Sequence, residues 1–166
     1  MYGTSPSCAC VGMVVLVMNR DFRDLLYEFN ARGIEYLVVG AHALAAHGHV
    51  RATKDLDIWV RPDPANARRV LAALQAFGAP LHDLSESDLS HPGLVFQIGV
   101  PPVRIDIVTS VDGLEFEKAW SARVTTTFSD QPVAVPSREH LIQNKRAAGR
   151  TQDLADAEWL ESHNPV

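Results

Sequence analysis

Two apolar runs joined by a glycine turn constrain this chain more than any other feature. The first, Tyr36-Leu37-Val38-Val39, stops at Gly40 and is followed by the helix-favouring segment Ala41-His42-Ala43-Leu44-Ala45-Ala46. The second, Asp55-Leu56-Asp57-Ile58-Trp59-Val60, begins with two aspartates one residue apart. The order reads as a strand, a turn into a short helix, and a second strand that carries carboxylates. Successive side chains of a strand leave on opposite faces, so Asp55 and Asp57 leave on the same one, roughly 6–7 Å apart. Leu56, Ile58 and Val60 then turn to the core, with Asp55, Asp57 and Trp59 on the other face. Two carboxylates so placed repel each other unless a cation lies between them. Magnesium (or manganese) suits such hard oxygen ligands and keeps positions open for phosphate oxygens and water. Gly40, having no side chain, lets backbone at a helix N-terminus come close to a phosphate. Both halves of the stretch predict one site.

The pattern Gly40-Ala41-His42, Gly48, Arg51-Ala52-Thr53-Lys54-Asp55-Leu56-Asp57-Ile58 resembles the nucleotidyltransferase superfamily typified by DNA polymerase beta. It is most similar to the small bacterial branch of minimal nucleotidyltransferases and abortive-infection nucleotidyltransferase toxins. In that superfamily a glycine turn and an Asp-x-Asp pair are completed by a third carboxylate on a neighbouring strand, and Val103-Arg104-Ile105-Asp106-Ile107-Val108 supplies Asp106. Three matches in this order are more specific than any one alone. The turn has Ala41 where many active relatives have Gly or Ser, so a backbone amide would replace a hydroxyl on the phosphate. The resemblance covers about residues 34–160. It implies an α/β (α+β) fold in which a mixed twisted sheet is flanked by helices and followed by a C-terminal helical tail.

Elsewhere the chain reads as scaffold. Asn19 or Asp21 caps a helix to about Arg32 with Phe22, Leu25, Leu26 and Phe29 on one face. Pro62, Asp63 and Pro64 open a helix over 65–77, which Gly78 ends. Residues 81–93 are polar and read as a solvated loop. Strands over 94–98 and 103–108 flank Gly99-Val100-Pro101-Pro102 as a hairpin. A short helix is expected over 115–120, then strands over 122–128 and 132–135 around the turn Ser129-Asp130-Gln131. Ser137 caps the first helix of a tail over about 137–163. There Leu141, Lys145, Arg150, Asp153 and Asp156 are similar to the tail of the same superfamily. The resemblance implies that the lysine reaches nucleotide phosphates while Arg150 and the aspartates lock the tail to the sheet. Read without it, Lys145 is a solvated cation on a helix face.

The resemblance also places Arg51 and Thr53 in the motif, and a cation at Arg51 could neutralise a leaving pyrophosphate. A surface charge is the plain alternative for Arg51. His42 faces the nucleotide or packs beside it. His42, His47 and His49 are spaced by five and two, whereas a helical zinc pair needs four. For the aspartates the competing use is edge protection against aggregation.

At 166 residues, with 46% hydrophobic and 21% charged, the chain suits one packed domain over 19–166 rather than disorder. A net charge of −5 gives no general attraction to nucleic acid. Residues 1–18 read as a flexible leader, with Met1, Met13 or Met18 as the translation start. Their apolar run lacks a basic flank and is too short to span a bilayer. Cys8 and Cys10 suit neither a disulfide nor zinc, so a cytoplasmic protein without membrane contact is expected.

The implied activity is metal-dependent nucleotidyl transfer. Asp55 and Asp57 hold a nucleotide-bound magnesium, and Asp106 helps hold a second and takes the proton of an acceptor hydroxyl. That hydroxyl attacks the α-phosphorus of a nucleoside triphosphate such as ATP. Gly40, Ala41, His42, Arg51, Thr53 and Lys145 complete the nucleotide site. The expected acceptor is an RNA or a protein hydroxyl, with an antitoxin protein as a partner if the chain is a toxin. A small molecule, as in aminoglycoside adenylylation, is the alternative, and so is a silent member of the fold that binds nucleotide or a partner without turnover.

Overall fold

A computed structural model describes residues 20–99 and 103–163. The leader with Cys8, Cys10 and the starts Met13 and Met18, the cap Asn19, and loop residues Val100, Pro101 and Pro102 lie outside the described residues. The chain begins with α1 (Arg20–Ala31), which buries Phe22, Leu25, Leu26 and Phe29. Next come β1 (Tyr36–Val39), α2 (Ala41–Ala46) and β2 (Asp55–Val60). Helix α3 (Pro64–Phe77) starts at an Asp63 cap that accepts from the Asn66 amide at 2.8 Å. Short α4 (Glu86–Leu89) precedes β3 (Val95–Ile98) and β4 (Arg104–Val108), and α5 (Phe116–Ser121) leads to β5 (Val124–Phe128) and β6 (Gln131–Val135). The tail is α6 (Arg138–Ala148) and α7 (Thr151–Ser162), with Ser137 capping α6 through the His140 amide.

The main sheet has the order β1-β2-β4-β3. β1 is antiparallel to β2, β2 is parallel to β4, and β4 is antiparallel to β3. Strands β5 and β6 form a separate hairpin, β6 lying beside β1. Its tip places Ser129 and Asp130 at φ 48° and 71°, the paired left-handed conformation that matches strand twist in a two-residue turn. Leu56, Ile58, Ile105 and Ile107 turn one face of the sheet to α1, α3 and the tail, where they meet Phe22, Leu26, Val70, Leu74, Leu141 and Leu160. This is the mixed, helix-flanked sheet with a helical tail expected from the sequence.

Two local expectations change. Residues 81–93 are not wholly a solvated loop. Ser85 and Asp88 form a reciprocal capping box (3.1 and 3.0 Å) that starts α4, and Leu89 is fully buried. The acid-bearing face of β2 is also not polar throughout. Trp59 is buried against Leu37, Val39, Phe116 and Ala119, so that face is polar where the strand begins and apolar where it ends. Among the described residues no helix is long and apolar enough to cross a membrane.

The entry to β1 and the exit from β2 are stitched together by Asn66, which is 1% exposed. Its Oδ1 accepts from the Glu35 amide (2.9 Å), and its Nδ2 donates to the carbonyls of Glu35 and Arg61 (3.0 and 3.1 Å). Asn66→Ala strips the Glu35 amide of that acceptor, and a buried donor left unmade costs about 1–3 kcal/mol. Urea unfolding should show a loss of this size with secondary structure retained. A loss under about 0.5 kcal/mol would show that water replaces the amide.

Candidate active site

The parallel register of β2 and β4 sets four polar residues in a block. Asp57 lies opposite Asp106, and Asp55 lies opposite Arg104. Neighbours across a ladder share a face, as do residues two apart along a strand, so all four project together. Exposure falls from the mouth of this block to its floor. The side chain of Asp55 is 43% exposed, that of Arg104 30% and that of Asp106 12%.

Asp57 sits under the turn that ends β1. Gly40 has φ 72° and ψ −150°, a conformation that L side chains rarely adopt. A Cβ placed on Gly40 would lie 2.3 Å from Asp57 Oδ2. The glycine is required twice, by its own backbone and by the carboxylate that fills the space where a side chain would be. Burial pushes the Asp57 carboxyl up to about 6, and the charges of Asp106 and Asp55 and a hydrogen bond shared with Asp106 push in the same direction. Arg104 opposes the rise.

Sequence reasoning did not single out Arg104. Its Nε donates to Asp106 Oδ1 at 3.0 Å and its Nη2 to Asp106 Oδ2 at 3.3 Å, while the same Nη2 lies 3.6 Å from Asp55 Oδ2. The signal was present in the alternation Arg104-Ile105-Asp106, which puts the cation on the acid face. Three carboxylates on adjacent strands, two of them bridged by a cation and the third set under a side-chain-free turn, are a donor set that suits a hard divalent ion. In the arrangement described, Asp55 and Asp106 reach to the guanidinium. Among the described residues no group of three or more His, Cys, Asp or Glu side chains is gathered around a common point that could hold a metal.

The other predicted residues fall into two groups. Ala41 opens α2 directly after Gly40, and Thr53 uses its hydroxyl to fix the start of β2, accepting from the Asp55 amide at 3.2 Å. His42 is buried between Phe22 and Phe128, with ring centroids at 6.0 and 5.6 Å, and its Nε2 has no partner. Burial lowers its pKa against a hydrogen bond to the Asp55 backbone, so it packs behind the acids as a neutral ring.

Arg51 and Lys145 belong to a second charged cluster, built on the tail. Asp156 is fully buried and pairs with Arg51 at 3.0 Å, His49 at 3.3 Å and Lys145 at 3.6 Å. Lys145, 8% exposed, also lies 3.5 Å from Asp153, which Arg150 holds at 2.7 Å. Lys145 is therefore a buried ion-pair member in this state, and Arg51 ties the loop before β2 to α7. His49 stacks on Trp159, while His47 Nε2 donates to the Pro136 carbonyl at 2.8 Å, so the three histidines point to separate places.

The chain has the nucleotidyltransferase fold. A candidate nucleotidyltransferase of Thermotoga maritima superposes with TM-score 0.57 at 14% identity, over 87% of this chain and 92% of that one. The lincosamide antibiotic adenylyltransferase LnuA, in its lincomycin-bound form, gives 0.54 at 16% identity over 87% and 97%. The antibiotic-resistance factor ANT(2'')-Ia gives 0.59 at 14% identity over 92% and 84%. No family model matches the sequence, and no curated protein does.

Asp57 makes the stability of this fold depend on pH. Its carboxyl rises on folding from 3.8 to about 6, so the native state favours the protonated form. That stabilisation is fully present below about pH 4 and is lost as the pH rises through 6, a change of up to about 3 kcal/mol. In EDTA, Asp57→Asn is expected to be more stable than the wild type above pH 6, with the difference closing towards pH 4. A wild type that is the more stable protein at pH 7.5 would mean that Asp57 is not under this strain.

Proposed function

We propose that this protein is a nucleotidyltransferase that moves a nucleoside monophosphate from a nucleoside triphosphate to the hydroxyl of a small molecule. The observation that carries the reading is the pairing of Asp57 with Asp106 across two parallel strands, with Asp55 on the same face and Gly40 against Asp57. Strand-edge acids placed against aggregation would be exposed and apart, whereas Asp106 is 9% exposed and lies opposite Asp57 on the two central strands. Asp55, Asp57 and Asp106 would hold divalent metal, magnesium or manganese. When bound, the metal would neutralise the carboxylates and the triphosphate and polarise the α-phosphate.

The chain's own residues supply positioning and proton transfer. Asp106, at the floor of the block, accepts the proton of the acceptor hydroxyl as its oxygen closes on the α-phosphorus and the pyrophosphate leaves opposite. Gly40 and Ala41 present unobstructed backbone to the phosphates, and Thr53 keeps the first carboxylate in place. Arg51 supplies positive charge for the leaving pyrophosphate from the edge of its pair with Asp156. His42 supports the turn from behind. Lys145 reaches a phosphate only by giving up Asp153 and Asp156, so its main effect on nucleotide is through the position of Arg51.

Support for a small acceptor comes from the lincomycin-bound adenylyltransferase LnuA and from ANT(2'')-Ia in its complex with adenylyl-2''-tobramycin, covered over 97% and 88% of their lengths. No observation of the site favours an RNA or protein acceptor, or an antitoxin partner, over a small molecule. The test is incubation of the purified protein with each labelled triphosphate, magnesium and pools of small hydroxylic compounds, RNA and protein. Label is expected on a small molecule, and Asp57→Ala is expected to lower transfer by about 10²–10³-fold with the fold intact, the size of loss seen when a charge-stabilising group of a reaction centre is removed. Label on RNA or protein would restore the toxin reading. Retained transfer in Asp57→Ala would remove the carboxylates from the mechanism, and nucleotide binding without transfer to any pool would leave a silent binding protein.

A further inference from the structure

The guanidinium of Arg104 occupies the carboxylates that the reading above assigns to metal. Asp106 gives both its oxygens to Arg104, at 3.0 and 3.3 Å, and Asp55 gives one at 3.6 Å. We propose that Arg104 is a resident counter-cation of the Asp55–Asp57–Asp106 cluster that must swing out for a divalent ion to enter. The inference rests on the proposed metal site and adds to it a positioning residue that sets how readily the site fills.

Three features carry the argument. The position is built rather than incidental, because Arg104 lies opposite Asp55 in the β2–β4 register and two residues from Asp106, so its side chain starts on the acid face. Guanidinium charge is permanent, and Arg104 cannot make room for another cation by losing a proton. It has to move, and it has somewhere to go: its side chain is 30% exposed at the mouth, whereas Asp106 at the floor is not. One carboxylate oxygen cannot face both a guanidinium and a small divalent ion at full strength. Each cation therefore weakens the other's hold, and by linkage the coupling is the same in both directions.

The arrangement solves a folding problem at the expense of metal affinity. Three carboxylates on adjacent strands would repel in the metal-free protein, and Arg104 offsets that repulsion while the site waits. A free ion has to displace it. An ion that arrives on a triphosphate brings anions that can accept the displaced guanidinium, so the device favours loading with substrate over loading with metal alone.

Mn²⁺ titration followed by the electron paramagnetic resonance of the free ion tests this without any turnover. Arg104→Gln is expected to bind Mn²⁺ about tenfold more tightly than the wild type, equivalent to about 1.4 kcal/mol. Arg104→Lys, which keeps a charge at the mouth, should return towards the wild-type affinity, and Asp55→Asn should lose binding. In the wild type, the Arg104 Nε–H resonance should lose its protection from solvent exchange as Mg²⁺ is added. Equal or weaker Mn²⁺ binding by folded Arg104→Gln, beside a wild type that binds, would overturn the counter-cation and leave the metal site standing. Absence of binding by wild type and Arg104→Gln alike, with and without ATP, would overturn the metal site and this inference with it. If Arg104→Gln does not fold, the wild-type resonance decides, and protection that persists at saturating Mg²⁺ overturns the inference.

Discussion

The repulsion between Asp57 and Asp106 is the constraint on which the rest of the structure depends. Parallel pairing of β2 and β4 leaves no freedom in it, since the register that puts Leu56 beside Ile105 and Ile58 beside Ile107 in the core also puts the two acids side by side on the opposite face. A one-residue slip would relieve the acids and would send the whole apolar set to the wrong face. Hydrophobic burial therefore holds like charges together. Each neighbour of the pair answers that cost: Gly40 withholds a side chain so that Asp57 has room, Arg104 supplies a positive charge, and the shared hydrogen bond is possible because Asp57 keeps a proton well above the usual carboxylate range.

The tail answers a different electrostatic demand. Asp153 and Asp156 are buried, and charges taken out of water are tolerated only with close partners. Those partners come from three places: Lys145 on α6, Arg150 at the start of α7, and Arg51 and His49 on the loop before β2. The same ion pairs that join α6 to α7 thus position the loop that leads into the first carboxylate. Trp159 completes the junction by stacking on His49 and on His163. A change in the tail should therefore be felt at β2 through the loop that Arg51 and His49 hold.

Much of this was legible in the sequence because it is local. Alternation in Asp55–Val60, the stop at Gly40, the helix start at Pro62-Asp63-Pro64, the Ser137 cap and the four-residue spacing in α1 each follow from the geometry of one element, and the structure places those elements where the pattern puts them. The nucleotidyltransferase fold followed from the order of three short motifs. Across elements the sequence was less informative. Arg104 was passed over although Asp106 is only two residues away, because the alternation shows a cation beside one acid and only the β2–β4 pairing brings Asp55, 49 positions away, to the same guanidinium. Lys145 read as a solvated or phosphate-facing cation because the aspartates that bury it lie on the next helix. Trp59 read only as a member of the acid face, with no cover assigned to it, because α5, which covers it, has no periodicity long enough to announce which strand it packs on. Helix α4 is a single turn, too short for period to show, and its evidence is a capping box rather than a pattern.

The two clusters also explain how a small domain can keep a strained site without spending its whole stability on it. Strain at Asp57 is concentrated in one carboxyl and is offset by one half-buried cation, whereas the buried acids of the tail are each held by two or more cations. Asp156 alone faces Arg51, His49 and Lys145, so the loss of one partner leaves others in place. Asp57 has no such reserve: among the described groups that move its titration, Arg104 alone acts to keep it charged. Pairing is redundant at the tail junction and single at the acid block, which is the distribution of charge that the proposed exchange of cations would use. A protein that used these acids only to keep its sheet edges apart would have no need to bury Asp106, to reserve Gly40 for Asp57, or to place its one countering cation at the mouth.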